Sequence, residues 1–218
     1  MRRVLPLLLA LFGVAAIWGS HEIARPLATP ASVPAPPWVA LLGPLRPLVA
    51  ELFRLRFESR RGDEGALGQL DDAWTVLALT PRRAADFVHF GWYFVFDATR
   101  LVRSATEREA CVRAGFEILE KGREMQPRSA RIACAQALAL DQLARHSPER
   151  LKRLALPAGE TPRGRALALF EEAVALAAPD DPELDFMKME RALCAEGVLG
   201  DPASPDALRE RARAALQR

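Results

Sequence analysis

Four polar side chains recur at helical spacing in an otherwise apolar stretch of the sequence: His89, Tyr93, Asp97 and Arg100. At about 100° per residue, these four positions share one face of a helix. An imidazole and a carboxylate on one face suggest acid–base catalysis. The same four side chains also suit a surface that contacts a binding partner.

The catalytic interpretation lacks a nucleophile, because no suitable residue stands at helical spacing from His89 and Asp97. The other two histidines, His21 and His146, fall near the N-terminus and at the edge of a predicted loop. The sequence contains no HExxH motif, no GxSxG motif and no glycine-rich phosphate loop. We therefore predict no catalytic residue, no metal ligand, no cofactor and no enzymatic activity.

The cysteines and the charge exclude further classes of protein. Cys111, Cys134 and Cys194 lack the spacing of a zinc site or a disulfide framework. Each lies in an apolar helical context, which predicts a small buried hydrophobe. The formal net charge of the 218 residues is +2, whereas nucleic-acid-binding proteins carry a concentrated basic surplus. We therefore expect no nucleic-acid partner.

The segment that carries the polar stripe is otherwise apolar. Six aromatic residues lie between Phe87 and Phe96. A helix this apolar must be surrounded on most sides, so residues 82–104 should form the central helix of the domain, with only the stripe open to water or a ligand. Three alternatives remain: a merely solvated stripe, an internal Asp97–Arg100 network, and a second membrane segment. The last would place His89 and Asp97 in lipid at high cost.

The N-terminus has the pattern of a membrane signal. Two arginines, at positions 2 and 3, precede an apolar run over residues 4–19. As a helix this run spans about 24 Å, slightly less than the hydrocarbon core of about 30 Å. We predict a signal anchor over residues 1–20, with a cleaved signal peptide and a buried soluble helix as the alternatives. The arginines favour a cytoplasmic N-terminus, which predicts a single-pass protein of the bacterial inner membrane with an extracytoplasmic C-terminal domain.

A spacer and a helical domain follow the anchor. Residues 21–44 contain five prolines between Arg25 and Pro37, which favours an extended, semi-rigid linker. From residue 45 to 218, apolar residues recur at helical rather than strand spacing, which predicts an all-α domain. About eight helices are expected, near residues 45–61, 64–79, 82–104, 107–125, 129–144, 164–178, 182–196 and 205–217. Leu48, Leu52 and Leu55 share one side of the first of these helices.

The helix ends recur in a way that indicates stacked helical hairpins. Proline follows an amphipathic helix at LALTP, REMQP and LAAP, the last ending at Pro179. Before this stop, Ala166, Phe170 and Ala173 resemble the second helix of a tetratricopeptide repeat, where small residues let paired helices pack around a bulky one. The proline stops lie 46 and 52 residues apart, whereas that repeat has about 34 residues. The resemblance therefore implies irregular repeats between Leu45 and Pro179.

A second resemblance concerns three longer stretches, namely ELFRLRFESRRGD, AWTVLALTP and FGWYFVFDATR. They are similar to a group of membrane-anchored bacterial repeat proteins that carry an arginine-containing first helix and an aromatic W-x-x-A-x-N helix. Here Val95 and Asp97 replace the alanine and the asparagine. That group has no established activity, so this resemblance implies an architecture rather than a function.

Together these features predict a membrane-tethered scaffold that binds a protein partner. In helical-repeat proteins the first helix of each pair lines the concave groove where partners bind. His89, Tyr93, Asp97 and Arg100 are therefore the predicted partner contacts. The alternatives are a small-ligand-binding or enzymatic helical domain centred on the same stripe, and a structural subunit of a larger envelope complex.

Overall fold

A computed structural model of the protein describes residues 37–60, 66–151 and 161–196. Every regular element in these three ranges is helical, and they contain no β-strand. The all-α class predicted from the sequence is therefore confirmed. All the described residues belong to a unit that begins at Ala35.

The described ranges contain ten α-helices, which we number in chain order. They are α1 (Pro37–Leu41), α2 (Arg46–Ser59), α3 (Leu70–Leu79), α4 (Ala84–Trp92), α5 (Ala98–Leu101), α6 (Ala105–Met125), α7 (Ala130–His146), α8 (Pro148–Leu151), α9 (Pro162–Leu176) and α10 (Leu184–Glu196). Short 3-10 segments, Gly43–Leu45 and Ala66–Gln69, precede α2 and α3, and a π-helical turn, Tyr93–Asp97, joins α4 to α5. The central helix denotes residues 84–101, which comprise α4, the π turn and α5.

Local sequence signals explain where the long helices begin. Ser104, Ser129 and Thr161 are N-cap residues whose hydroxyls accept hydrogen bonds from backbone N–H groups three residues later, at 3.0, 3.4 and 3.0 Å. These bonds satisfy donors that have no partner within the helix. Each cap therefore fixes the start of its helix, and the prolines at 81 and 127 follow the ends of α3 and α6.

The helices pack largely as pairs. α2 packs on α3, the central helix on α6, and α7 on α9, while α10 adds to α9. α7 also packs against the central helix, which connects the successive pairs. The largest core cluster combines Val95 of the central helix with buried residues of α6, α7, α9 and α10, including Phe116, Phe170 and Met187.

Glycines allow the central helix and α6 to approach closely. A Cβ atom on Gly115 would lie 2.6 Å from the backbone oxygen of Gly91 and 2.6 Å from a methyl group of Val95. A Cβ atom on Gly122 would lie 2.9 Å from Phe87. Real Cβ atoms do not come this close to other heavy atoms. The contact between the two helices therefore requires glycine at positions 91, 115 and 122.

The central helix differs from the regular α-helix predicted for residues 82–104. The π turn from Tyr93 to Asp97 interrupts it, and α5 ends at Leu101. Each residue of a π turn advances less around the axis than a residue of an α-helix. Residues after the turn are therefore rotated from the positions that a constant 100° per residue assigns to them.

Other predicted boundaries differ by a few residues or lie outside the described ranges. The end of the predicted spacer at residues 21–44 is helical, because it contains α1 and the first two residues of the 3-10 segment Gly43–Leu45. Residues 152–160, between the predicted helices at 129–144 and 164–178, lie outside the described residues, as do the predicted helix at 205–217 and the predicted anchor at 1–20. Within the described ranges, every helix is too short or too polar to cross a bilayer.

Candidate functional site

The structure divides the four predicted contact residues into two groups. His89, Asp97 and Arg100 are exposed, whereas Tyr93 is only 2% exposed. The predicted stripe is therefore not one continuous solvent-facing surface. Tyr93 lies in the core, and its side chain is not open to a partner in this conformation.

Packing against α2 and the segment before α3 explains the burial of Tyr93. Its hydroxyl donates a hydrogen bond to the side-chain oxygen of Gln69, whose amide in turn donates to the backbone oxygen of Phe57 at 3.1 Å. The rings of Phe57 and Tyr93 meet edge to face, with centroids 4.9 Å apart. A buried phenol needs a polar partner, and Gln69 provides it inside the fold.

Asp86, which lies three residues before His89 on α4, is also buried. Its carboxylate accepts hydrogen bonds from Arg54 of α2 at 2.5 Å and from the hydroxyl of Thr80 at 2.6 Å. Nearby, Arg56 of α2 pairs with buried Asp72 of α3 at 3.3 Å. These ion pairs join α2 to the next two helices. Breaking either pair would leave an uncompensated buried charge, so both pairs stabilise this packing. They support the fold rather than a binding surface.

The exposed residues of the stripe are His89, Asp97 and Arg100. The imidazole of His89 lies 3.5 Å from the carboxylate of Glu58, at the end of α2. In the described part of the chain no ion pair joins Asp97 to Arg100, so the internal network considered as an alternative does not form there. Both side chains are open to solvent.

Sequence reasoning assigned the aromatic residues of this segment to the surrounded part of the helix and did not single out Trp92 and Phe96. Val88, Trp92 and Phe96 follow each other at intervals of four residues, and all three are half-buried, with one side packed against the core cluster. The rings of Trp92 and Phe96 pack together with centroids 5.0 Å apart. Because each residue of the π turn advances less around the axis, Asp97 and Arg100 are rotated towards this side, and Arg100 is rotated away from Tyr93. The outer face denotes Val88, His89, Trp92, Phe96, Asp97 and Arg100.

The indole of Trp92 adds an unusual feature to the outer face. Its Nε1 atom is buried and has no hydrogen-bond partner among the described residues. Buried polar groups in native proteins are nearly always paired, and an indole N–H can only donate. The four-residue spacing of Val88, Trp92 and Phe96 could have revealed this row from the sequence, but the same spacing is typical of a helix face buried in the core.

The cysteine thiols of the described ranges are buried in the fold. Burial raises the pKa of the Cys111 and Cys194 thiols to about 11 and that of Cys134 to about 12. These thiols are therefore protonated at neutral pH and are poor nucleophiles. All three are buried, as predicted, and all three are free thiols. No group of three or more His, Cys, Asp or Glu side chains in the described ranges is arranged to hold a metal ion.

Asp141 and Arg145 of α7 form a cluster of charged side chains with Glu190 of α10. The carboxylate of Asp141 is fully buried and pairs with Arg145 one turn later on α7. Burial raises the pKa of the neighbouring Glu190 of α10, Arg145 opposes this effect by its positive charge, and Asp141 adds to it. One oxygen of Asp141 has no hydrogen-bond partner among the described residues. Two acidic groups thus share one arginine in a poorly hydrated position.

No protein family model matches this chain, and comparisons with curated proteins and with solved structures yield no significant match.

Proposed function

We propose that this protein is a non-catalytic scaffold that binds a protein partner through the outer face of the central helix. The observation that carries the proposal is the composition of that face. Half-buried Trp92 and Phe96 lie beside exposed His89, Asp97 and Arg100. Aromatic and arginine side chains dominate the binding energy of protein interfaces, especially when polar groups surround them.

The paired helices support this proposal. The central helix is the first helix of the pair that it forms with α6. In irregular tetratricopeptide-like repeats, the first helices would line the binding groove. Exposed Asp97 and Arg100 would then meet charges of opposite sign on the partner.

The membrane tether is a separate part of the proposal. We propose that residues 4–19 anchor the protein in the bacterial inner membrane and that the helical domain is extracytoplasmic. A reporter that works only outside the cytoplasm, fused after Arg218, should be active. A fusion in which only a cytoplasmic reporter works would contradict this orientation. This result bears on the tether alone and leaves the outer face untouched.

The binding proposal is tested by purifying the tagged full chain from membranes and identifying the proteins that accompany it. The test variant combines Asp97→Arg with Arg100→Glu, which reverses both charges without changing the net charge. A second variant, Trp92→Ala, removes the aromatic side chain. The matched control reverses two exposed charges on α6, Arg113→Glu and Glu120→Arg.

We expect a stoichiometric protein partner with the wild type and with the α6 control, and at least about tenfold less of it with either outer-face variant. Truncating a central aromatic side chain at an interface costs about 2 kcal/mol or more, which corresponds to at least tenfold in affinity. Equal recovery of the partner with all variants, each folded by circular dichroism, would exclude the outer face. A small molecule in place of a protein would favour the ligand-binding alternative.

A further inference from the structure

The π turn of the central helix changes its backbone hydrogen bonding. In an α-helix each amide bonds to the carbonyl four residues earlier, but the amide of Ala98 bonds to the carbonyl of Tyr93, five residues earlier. When four-residue bonding resumes in α5, one carbonyl within the turn has no amide donor left. A buried carbonyl without a donor is unfavourable. The π turn therefore needs a donor from a side chain.

The hydroxyl of Thr99 is such a donor. It lies 2.8 Å from the backbone oxygen of Phe96 and 3.2 Å from that of Val95, and both of these residues belong to the turn. The Thr99 side chain is buried, so the hydroxyl acts within the fold. In a regular helix a threonine makes the same kind of bond to a carbonyl that already has an amide donor. Here it takes the place of the missing amide.

The extra residue of the π turn decides the direction of Arg100. A regular helix would place Arg100 about 80° from Trp92 and about 20° from buried Tyr93. The turn removes the rotation of one residue, so Arg100 lies about 20° from Trp92 and about 120° from Tyr93. The exposure of Arg100 agrees with the second placement. The turn therefore brings Arg100 to the side of Trp92.

The burial of Thr99 has the same origin. Gly91 faces α6, because a Cβ atom there would lie 2.6 Å from the side chain of Leu119. A regular helix would place Thr99 about 80° from Gly91, whereas the π turn places it within about 20°. The turn thus directs Thr99 towards α6 and leaves Arg100 in solvent. Both orientations belong to one conformation of the helix.

We propose that Thr99 is a positioning residue for the outer face: its hydroxyl maintains the π turn, and the turn holds Arg100 beside Trp92 and Phe96. This inference rests on the proposed function of that face. Without the hydroxyl, one carbonyl of the turn is unpaired. A regular helix, in which every carbonyl has an amide donor, is then favoured, and Arg100 turns towards the side of Tyr93.

Distances between two spin labels measure the direction of position 100 without any partner. One label replaces Arg100 and the other replaces exposed Arg113 on α6 of the full chain. The native cysteines are buried, so they take up little label. With Thr99 in place this pair should give a single distance. Thr99→Val keeps the branched shape without the hydroxyl and should add a second distance, because a rotation of about 100° moves a side chain by about 8 Å.

Two controls separate this effect from general destabilisation. Thr99→Ser retains the hydroxyl and should give the single distance of the wild type. A label at His89, which precedes the turn, should keep one distance to position 113 whichever residue stands at position 99. Circular dichroism establishes that each variant remains folded.

The same substitutions in the unlabelled chain connect the direction of Arg100 to binding. Recovery of the protein partner from membranes should fall with Thr99→Val in proportion to the fraction of chains that show the second distance. Thr99→Ser should recover as much partner as the wild type. A merely structural role of Thr99 would lower stability and leave both the label distance and the recovery of folded protein with its partner unchanged.

Three results would overturn the proposal. The first is a wild-type distance that fits a regular helix instead of the π turn. The second is a folded Thr99→Val chain that gives only the wild-type distance. The third is a second distance with undiminished recovery of the partner. If the wild type recovers no protein partner, the proposed function fails and the positioning role with it, while the label distances still decide whether Thr99 maintains the turn.

Discussion

The close approach of the central helix and α6 leads to a specific prediction for Gly115→Ala. The added Cβ atom would lie 2.6 Å from the backbone oxygen of Gly91 and 2.9 Å from the backbone nitrogen of Val95. Ordinary contact distances are about 3.5 Å, so the two helices must separate by about 0.9 Å. A gap of this size forfeits a quarter to a half of the dispersion energy of the contacts it opens. Backbone atoms cannot rotate away as a side chain can.

The expected change in the free energy of unfolding follows from two opposing terms. Overpacking a well-packed core costs about 1–3 kcal/mol, whereas alanine in place of glycine in a helix gains about 0.5–1 kcal/mol. The cost of overpacking therefore exceeds the gain from alanine, and Gly115→Ala should lower the free energy of unfolding by about 1–2 kcal/mol. For a chain of this size, the midpoint of thermal unfolding should fall by roughly 2–8 °C.

Urea unfolding of the full chain in mild detergent, followed by circular dichroism, measures this loss. The matched control is Gly164→Ala in the first turn of α9, where a Cβ atom would meet only the hydroxyl oxygen of Thr161 at 3.0 Å. That substitution should change stability by no more than about 0.5 kcal/mol. If Gly115→Ala proves as stable as the wild type, the helices are not as close as described and the reasoning fails.

Three further predictions concern buried polar groups. Tyr93→Phe leaves the side-chain oxygen of Gln69 without its donor and should cost about 1–3 kcal/mol in urea unfolding; unchanged stability would show that the hydrogen bond does not form. The three cysteines, with pKa values raised to about 11 and 12, should resist a thiol reagent at neutral pH until the chain unfolds, and rapid labelling of the native protein would contradict their burial. Burial raises the pKa of Glu190, so its charged form destabilises the fold at neutral pH. Glu190→Gln should increase stability there, and the gain should shrink as the pH falls towards about 4, where the wild-type carboxyl is protonated. A gain that does not depend on pH would exclude this cause.

Helix boundaries could be predicted because their signals are local. Hydroxyl caps begin α6, α7 and α9, and prolines follow α3 and α6, so the observed ends differ from the predicted ones by only a few residues. The π turn was not predicted, because an extra residue in one turn changes the rotation of the helix without changing its apolar character. The assumption of constant periodicity therefore combined Tyr93 with Arg100 on one face.

The burial of individual polar residues depends on distant parts of the chain. Tyr93 pairs with Gln69, 24 residues earlier, and Asp86 pairs with Arg54, 32 residues earlier. A helical projection contains no information about such contacts. The same holds for α2, whose sequence has two apolar faces. Spacing places Leu48, Leu52 and Leu55 together but does not indicate that the opposite face is the buried one.

The most direct test of the proposed function is photo-cross-linking in intact cells. A photoreactive residue would replace Asp97 on the outer face or, as a control, Glu120 on α6. The account predicts one discrete adduct with another protein from position 97 and none from position 120. Adducts from position 120 but not from position 97, or none from either, would contradict a partner-binding outer face.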